Sequence, residues 1–251
     1  MELKYLSEEQ NAQFDREYHS AEEIEAKLEL LRRHFPGGPR SILDVGGGNG
    51  RFLDGLLDAF PQADGVLLDI SQHLLDANTP NPRKTLINAS VNDADRIFAG
   101  RKFDLITINW LLHHLVGPTY QACADNCVAT LRICQKHLAP NGVIFIAENM
   151  FEGFLGLNMP SHVIYSITRV KFPPFVRQAR RFFNTAGVGV CFRNERNWGE
   201  ILARAGLKPS QVLHKAWPDE TGYRRVLRTF LGYSHGGHAH FFCPAPAKAA
   251  E

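Results

Sequence analysis

Ser41-Ile42-Leu43-Asp44-Val45-Gly46-Gly47-Gly48-Asn49-Gly50-Arg51-Phe52 is the stretch that decides how this chain folds. Ser41 to Val45 reads as a short buried strand and Gly46 to Gly50 as a tight turn. Arg51 opens a helix with Phe52, Leu53, Leu56, Leu57 and Phe60 at helical spacing. A strand, a glycine turn and a helix start together make a ligand cradle. Glycine puts no Cβ in the way, and the unpaired N–H groups of the first helical turn draw negative charge. The dinucleotide fingerprint Gly-x-Gly-x-x-Gly needs a third glycine where Arg51 stands. No Tyr-x-x-x-Lys pair is evident either, so an NAD-dependent oxidoreductase is the weaker alternative.

A regular alternation follows. Gly65 to Ile70 reads as a second strand closing on Asp69, and a carboxylate there can accept hydrogen bonds from two vicinal ribose hydroxyls. Ser71 begins a short helix with Leu74 and Leu75, Thr79-Pro80-Asn81-Pro82 breaks the chain, and Thr85 to Asn88 is a third strand. Phe103 to Ile108 is a fourth, a helix runs from about Thr119 to His137, Leu138 to Gly142 is a turn, and Val143 to Glu148 is a fifth strand. Strands and helices in this order predict a doubly wound parallel sheet with its ligand at the carboxyl ends of the strands.

Asp44-x-Gly46-x-Gly48-x-Gly50 resembles motif I of the class I S-adenosylmethionine-dependent methyltransferases. Phe103-Asp104-Leu105, followed by Asn109-Trp110-Leu111-Leu112-His113-His114, resembles motif IV of that family and the segment after it. The resemblance covers most of the chain. It implies an α/β fold with a seven-stranded, mostly parallel sheet whose last strand is antiparallel, N-terminal helices and a helical lid insertion. It also implies S-adenosyl-L-methionine as cofactor. Asp44, Gly46, Gly48 and Gly50 would then line its methionine and ribose side, Asp69 and Ile70 its ribose side, and Asn109 and Trp110 its methionine end. For the adenine, Asn88, Ser90 and Asp93 are alternatives, with Ser90 the preferred candidate.

The chain is expected to divide into four segments: an N-terminal helical cap over 1–40, the cofactor-binding core over 41–148, a lid or substrate insertion over 149–193, and a C-terminal part of the core with a final hairpin over 194–251. Ser7-Glu8-Glu9-Gln10 and Ser20-Ala21-Glu22-Glu23 both fit the capping box. From Gly153 to Asn194 the insertion holds no acidic residue but carries Arg169, Lys171, Arg177, Arg180, Arg181 and Arg193. Such a basic, aromatic segment suits a partly aromatic or amphipathic acceptor, possibly anionic. A helix over 194–206 and strands near Gln211 to Trp217 and Gly237 to Cys243 complete the pattern.

A sulfonium donor already activates its methyl carbon, so the protein mainly aligns a nucleophile and excludes water. A hydroxyl acceptor is helped by a general base, and imidazole suits that near neutral pH, which makes His113 and His114 the catalytic candidates. Tyr18, Trp110, His113, Glu148, Arg169 and Arg177 are the candidates for the acceptor pocket. Nitrogen or carbon acceptors stay open, as does a protein that binds the cofactor without methylating. No resident metal is expected: Asn109, Glu148 and Asn149 lack the first acid of a magnesium set, and His235, His238 and His240 read as strand residues.

The 251 residues carry a formal net charge of +2 and are 44% hydrophobic, a balance that gives no electrostatic case for nucleic acid or a membrane as obligatory partner. No apolar run is long enough to span a bilayer, and the N-terminus does not read as a signal peptide. A cytoplasmic monomer or homodimer acting on a small molecule is expected. Cys123, Cys127 and Cys134 share a helical face as small buried side chains, and the five cysteines suggest no disulfide framework.

Overall fold

A computed structural model describes residues 6–11, 21–179, 184–217 and 223–246. Seven strands form one mostly parallel sheet, and the described residues fall into two compact units. The first unit comprises those within Ser7–Asn109, Ile133–Phe145 and Pro244–Glu251; the second comprises those within Met1–Leu6, Trp110–Arg132 and Ile146–Cys243.

In the first unit, α1 (Glu8–Asn11) starts with the expected capping box: Ser7 Oγ accepts from Gln10 N, and Ser7 N donates to Gln10 Oε1. Helix α2 (Ala21–His34) buries Leu28 and Leu31, and its Lys27 stem runs into the core with Nζ 4.8 Å from the centre of the Phe52 ring. Strand β1 (Ser41–Val45) is buried from Ile42 on because parallel neighbours flank it on both sides: β2 (Asp64–Asp69) and β4 (Phe103–Asn109). Strand β3 (Lys84–Asn88) pairs with β2 and is largely exposed. Helix α3 (Arg51–Ala59) buries Leu53, Leu56 and Leu57, and α4 (Gln72–Asp76) is capped by Ser71, which accepts from Leu74 N. The short α5 (Ala94–Ile97) precedes β4. Asp104 accepts from Arg40 N and Ser41 N at 2.8 and 3.0 Å, tying the entry to β1 to the start of β4.

The second unit contains most of α6 (Tyr120–Lys136), whose Cys123 and Cys127 are buried free thiols as their spacing predicts. It also holds α7 (Met159–Thr168), α8 (Pro173–Ala179), α9 (Glu195–Ala205), β6 (Gln211–Ala216), α10 (Tyr223–Leu231) and β7 (Tyr233–Pro244), which pairs antiparallel with β6. Asn194 caps α9 and Gly206 ends it in the left-handed conformation. Phe151, Ile164, Val190, Leu231 and Tyr233 form one of the unit's apolar clusters.

Strand β5 (Leu138–Gly153) passes through both units, and the sheet order is β3-β2-β1-β4-β5-β7-β6. Three features differ from the sequence reading. The segment 138–142, read as a turn, extends β5; Ala245 N donates to Gly142 O there, giving that backbone a pairing partner. Helix α10 was not anticipated, and β7 starts at Tyr233, ahead of the Gly237 expected.

Candidate functional site

The glycine loop is built as its composition demands. Gly46, Gly48 and Gly50 have φ of 70°, 54° and 74°, in the left-handed region where a Cβ is disfavoured. Gly47 is required for a different reason: a Cβ there would sit 2.5 Å from Asp44 Oδ2 and 2.8 Å from Leu67 Cγ. Asp44 thus lies beneath the loop. Its Oδ1 accepts from Thr107 Oγ1 at 2.6 Å. Burial pushes the Asp44 carboxyl up to about 6; the Thr107 hydrogen bond opposes this and the nearby Asp69 charge reinforces it.

Asp69 closes β2, where the sequence put it. Its Oδ2 accepts from Gly48 N at 2.9 Å and its Oδ1 from Ser71 N at 2.8 Å. An ionised carboxylate offers about four acceptor positions, so two backbone donors leave capacity for hydroxyls. Ile70, next along, is 44% exposed. Asn88 donates to the carbonyl oxygens of Asp69 and Ile70. Ser90 caps the 3-10 turn Val91–Asp93 by accepting from Asn92 N, and Asp93 pairs with Arg96 at the surface.

Val45 pairs with Ile108, so Gly46 and Asn109 occupy the carboxyl ends of adjacent strands. Both polar atoms of the Asn109 carboxamide are buried without a hydrogen-bond partner among the described residues. A buried amide in that state is costly unless a ligand satisfies it, so it fits the polar end of a bound cofactor. Sequence reasoning missed Gly47 and Asn78. Asn78 Nδ2 donates to Gly48 O and Leu74 O, while its Oδ1 lies where a Cβ on Gly50 would point. The only signal was Asn78 standing before the Thr79-Pro80 break.

The second unit holds the titratable pair. Trp110 has a φ of 51°, strained for a bulky residue, and its N donates to Ala147 O at 2.8 Å. The chain then tightens into a 3-10 turn over Leu112–His114. Leu112 N donates to Glu148 Oε1 at 2.6 Å, and His113 Nδ1 lies 2.6 Å from Glu148 Oε2. Glu148 has no exposed surface and His113 is buried. Burial pushes Glu148 up to about 8, opposed by backbone N–H groups and the Arg193 charge, and pushes His113 down to about 3. Two groups this close titrate as one unit. His114 is held well below the usual imidazole range by burial and by His113.

The His113 ring lies between His114, with centroids 4.2 Å apart, and Phe192, at 4.8 Å; its carbonyl accepts from Cys191 N. Its Nε2 has no hydrogen-bond partner among the described residues. Trp110 packs edge-on to His238, which accepts from Trp217 Nε1. Arg169 donates to Tyr165 Oη at 2.7 Å, Arg177 is exposed, and no hydrogen bond or ion pair joins either to His113 or Glu148. Among the insertion's described residues the buried guanidinium is Arg193, stacked 4.3 Å from the centre of the Tyr120 ring. Tyr18 lies outside the described residues. Sequence reasoning placed His113 and Glu148 separately; what it lacked was their pairing.

Comparison with known proteins adds to this geometry. Residues 43–144 match the family model described as a methyltransferase domain. An O-methyltransferase, aclM, of Aspergillus oryzae is 28% identical over 136 residues, covering 47% of this chain and 29% of the relative. An O-methyltransferase, gliM, of Aspergillus fumigatus is 26% identical over 186 residues, covering 72% and 39%. The chain therefore spans well under half the length of the curated relatives it matches. Among solved structures, a SAM-dependent methyltransferase of Leishmania major superposes with a TM-score of 0.57 at 19% identity, over 88% of this chain and 71% of the other, a likeness of fold.

Proposed function

We propose that this chain, whose residues 43–144 match the methyltransferase-domain model, is a class I, S-adenosylmethionine-dependent enzyme that transfers a methyl group to a hydroxyl of a small molecule. The observation that carries the reading is the buried His113–Glu148 pair with Nε2 of His113 left over. When bound, S-adenosylmethionine supplies a methyl carbon already activated by its sulfonium. Gly46, Gly48 and Gly50 would leave room for its backbone-facing side, Asp69 would accept from its ribose hydroxyls, Ile70 would offer an apolar surface to its base, and Asn109 would meet its polar amino-acid end.

The protein's own proton chemistry follows from the pair. With Glu148 ionised, its carboxylate accepts from Nδ1–H of His113, fixing the tautomer whose Nε2 carries a lone pair. That nitrogen takes the hydroxyl proton as the oxygen acquires its methyl group, and Glu148 stabilises the imidazolium that forms. Burial strengthens each of these interactions. The rings of Trp110, His114 and Phe192 suit an aromatic acceptor, so a phenol is the preferred class. We read segment 149–193 as the lid over that acceptor, and the whole as a cytoplasmic enzyme on small molecules.

The test is release of S-adenosylhomocysteine from a panel of phenols, with calorimetry of S-adenosylmethionine and NAD. Expected are binding of S-adenosylmethionine in preference to NAD, a methyl ether as product, and loss of turnover in His113→Gln with cofactor affinity kept. Undiminished turnover in that variant at saturating cofactor would overturn the base assignment. Cofactor binding without methylation of any acceptor would favour a binding protein.

A further inference from the structure

Around the start of α7 the second unit turns its apolar residues outward. Phe154, Leu155, Leu157 and Met159 are all more than half exposed, and Leu155 reaches 96%. Leu155 is held there by a φ of 58°, a conformation that a leucine adopts only when its surroundings impose it. Helix α10 packs against α7 and contributes Val226 and Phe230, one helical turn apart and 71% and 74% exposed. The two groups adjoin. A Cβ on Gly232, just past α10, would run into Met159 Cε, and Ser234 Oγ donates to Glu152 O just before Phe154.

The described residues that form this surface carry charge of one sign. Residues 153–194 and 223–246 contain no Asp or Glu but nine Arg and Lys, among them Arg225 and Arg228 on α10. Among the described residues, two carboxylates of this unit are engaged elsewhere: Glu152 caps the first N–H of α9, and Glu195 pairs with His214 at 3.0 Å. The net charge of +2 therefore hides a local excess of cations beside exposed leucine, phenylalanine and methionine. A second copy placed symmetrically on this face would bring arginines against arginines. An anionic bilayer instead supplies both an apolar layer and opposing charge.

We propose that the surface formed by Phe154–Met159 and α10 docks peripherally on an anionic phospholipid bilayer, burying Leu155 and Phe230 among the acyl chains while Arg225 and Arg228 meet lipid phosphates. Among the described residues no helix is long and apolar enough to cross a membrane, so the contact is interfacial. Phe154–Met159 falls within the segment 149–193 read as the lid, but the contact does not require the methyl-transfer reading, because neither His113 nor the glycine loop belongs to the surface.

The test is co-sedimentation of the full chain with vesicles of phosphatidylcholine alone and of phosphatidylcholine mixed with phosphatidylglycerol, at low and high salt. Expected is binding to the mixed vesicles that weakens with salt. Arg225→Gln with Arg228→Gln should lower that binding by about tenfold or more. Leu155→Asp with Phe230→Asp should abolish it while leaving the circular dichroism spectrum unchanged, since both side chains are in solvent. The proposal is overturned if the wild-type chain stays in the supernatant with both vesicle types, or if the Leu155→Asp/Phe230→Asp variant pellets like wild type. It is also overturned if sedimentation velocity shows a dimer that this variant converts to monomer.

Discussion

His113 Nδ1 and Glu148 Oε2 face each other at 2.6 Å inside a site that excludes water from the carboxylate altogether, and the proton they share sets the pH range in which His113 can act as a base. Burial raises Glu148 from 4.5 to about 8 and lowers His113 from 6.5 to about 3, so near neutrality the pair holds one proton too many for base catalysis. Losing it leaves Glu148 ionised, Nδ1–H donating and Nε2 free. Turnover at saturating substrates is expected to rise with pH through a single ionisation near 8, measured as kcat against pH.

Glu148→Gln tests the pairing separately from the base. A glutamine keeps the size and accepts from Leu112 N, but it cannot stabilise an imidazolium. We expect kcat to fall by about 10²-fold, the ionisation near 8 to vanish, and KM for the cofactor to stay within about twofold. His113→Gln should fall at least as far, and the double variant no further than the worse single one, because the two residues act as a unit.

The same carboxyl predicts a stability profile. A group whose folded pKa is raised contributes stability that is fully present below its unfolded value and is lost as pH rises through the folded one. For Glu148 that loss runs from 4.5 to about 8. His113 has the opposite sign: its contribution is present above 6.5 and is lost as pH falls toward 3. Between 6.5 and 8 only the Glu148 loss remains of these two; the lowered Cys123 thiol acts with the opposite sign there, so the Glu148 contribution, a fall of about 2 kcal/mol over that interval, is read by chemical denaturation as the difference in pH dependence between wild type and Glu148→Gln.

Gly47→Ala drives a methyl group onto Asp44 Oδ2 and Leu67 Cγ, both in the buried layer under the loop. A loss of about 1–3 kcal/mol in unfolding free energy is expected, together with weaker S-adenosylmethionine binding by calorimetry. Gly50→Ala combines a left-handed φ of 74° with a clash on Asn78 Oδ1, and Asn78→Ala in the same chain should restore part of the stability but not the backbone strain.

The strands and helices of the first unit were legible because each carries its own local signal: an apolar run, a glycine turn, a carboxylate closing β2, a serine capping α4. Helix α10 was not, since Tyr223-Arg224-Arg225-Val226-Leu227-Arg228-Thr229-Phe230-Leu231 has no cap signature and its Val226 and Phe230 are left in solvent. The site divided in the same way. Glycines, Asp69, Asn109 and His113 stand out by type and position, whereas the His113–Glu148 bond joins residues 35 apart that only the sheet brings together. Asp44 was read as lining the methionine and ribose side of the cofactor; its burial beneath Gly47 depends on tertiary packing that no spacing reveals.

Neither compact unit is a continuous length of polypeptide: the chain passes from one to the other at Leu6/Ser7, Asn109/Trp110, Arg132/Ile133, Phe145/Ile146 and Cys243/Pro244. Chimeras that exchange the histidine-bearing portion between homologues must therefore be spliced at several junctions, one of them inside β5, and a single crossover will yield hybrids with mismatched interiors. A protease nick in the exposed Phe154–Leu157 turn should accordingly leave the two fragments associated under native conditions, separating only in denaturant.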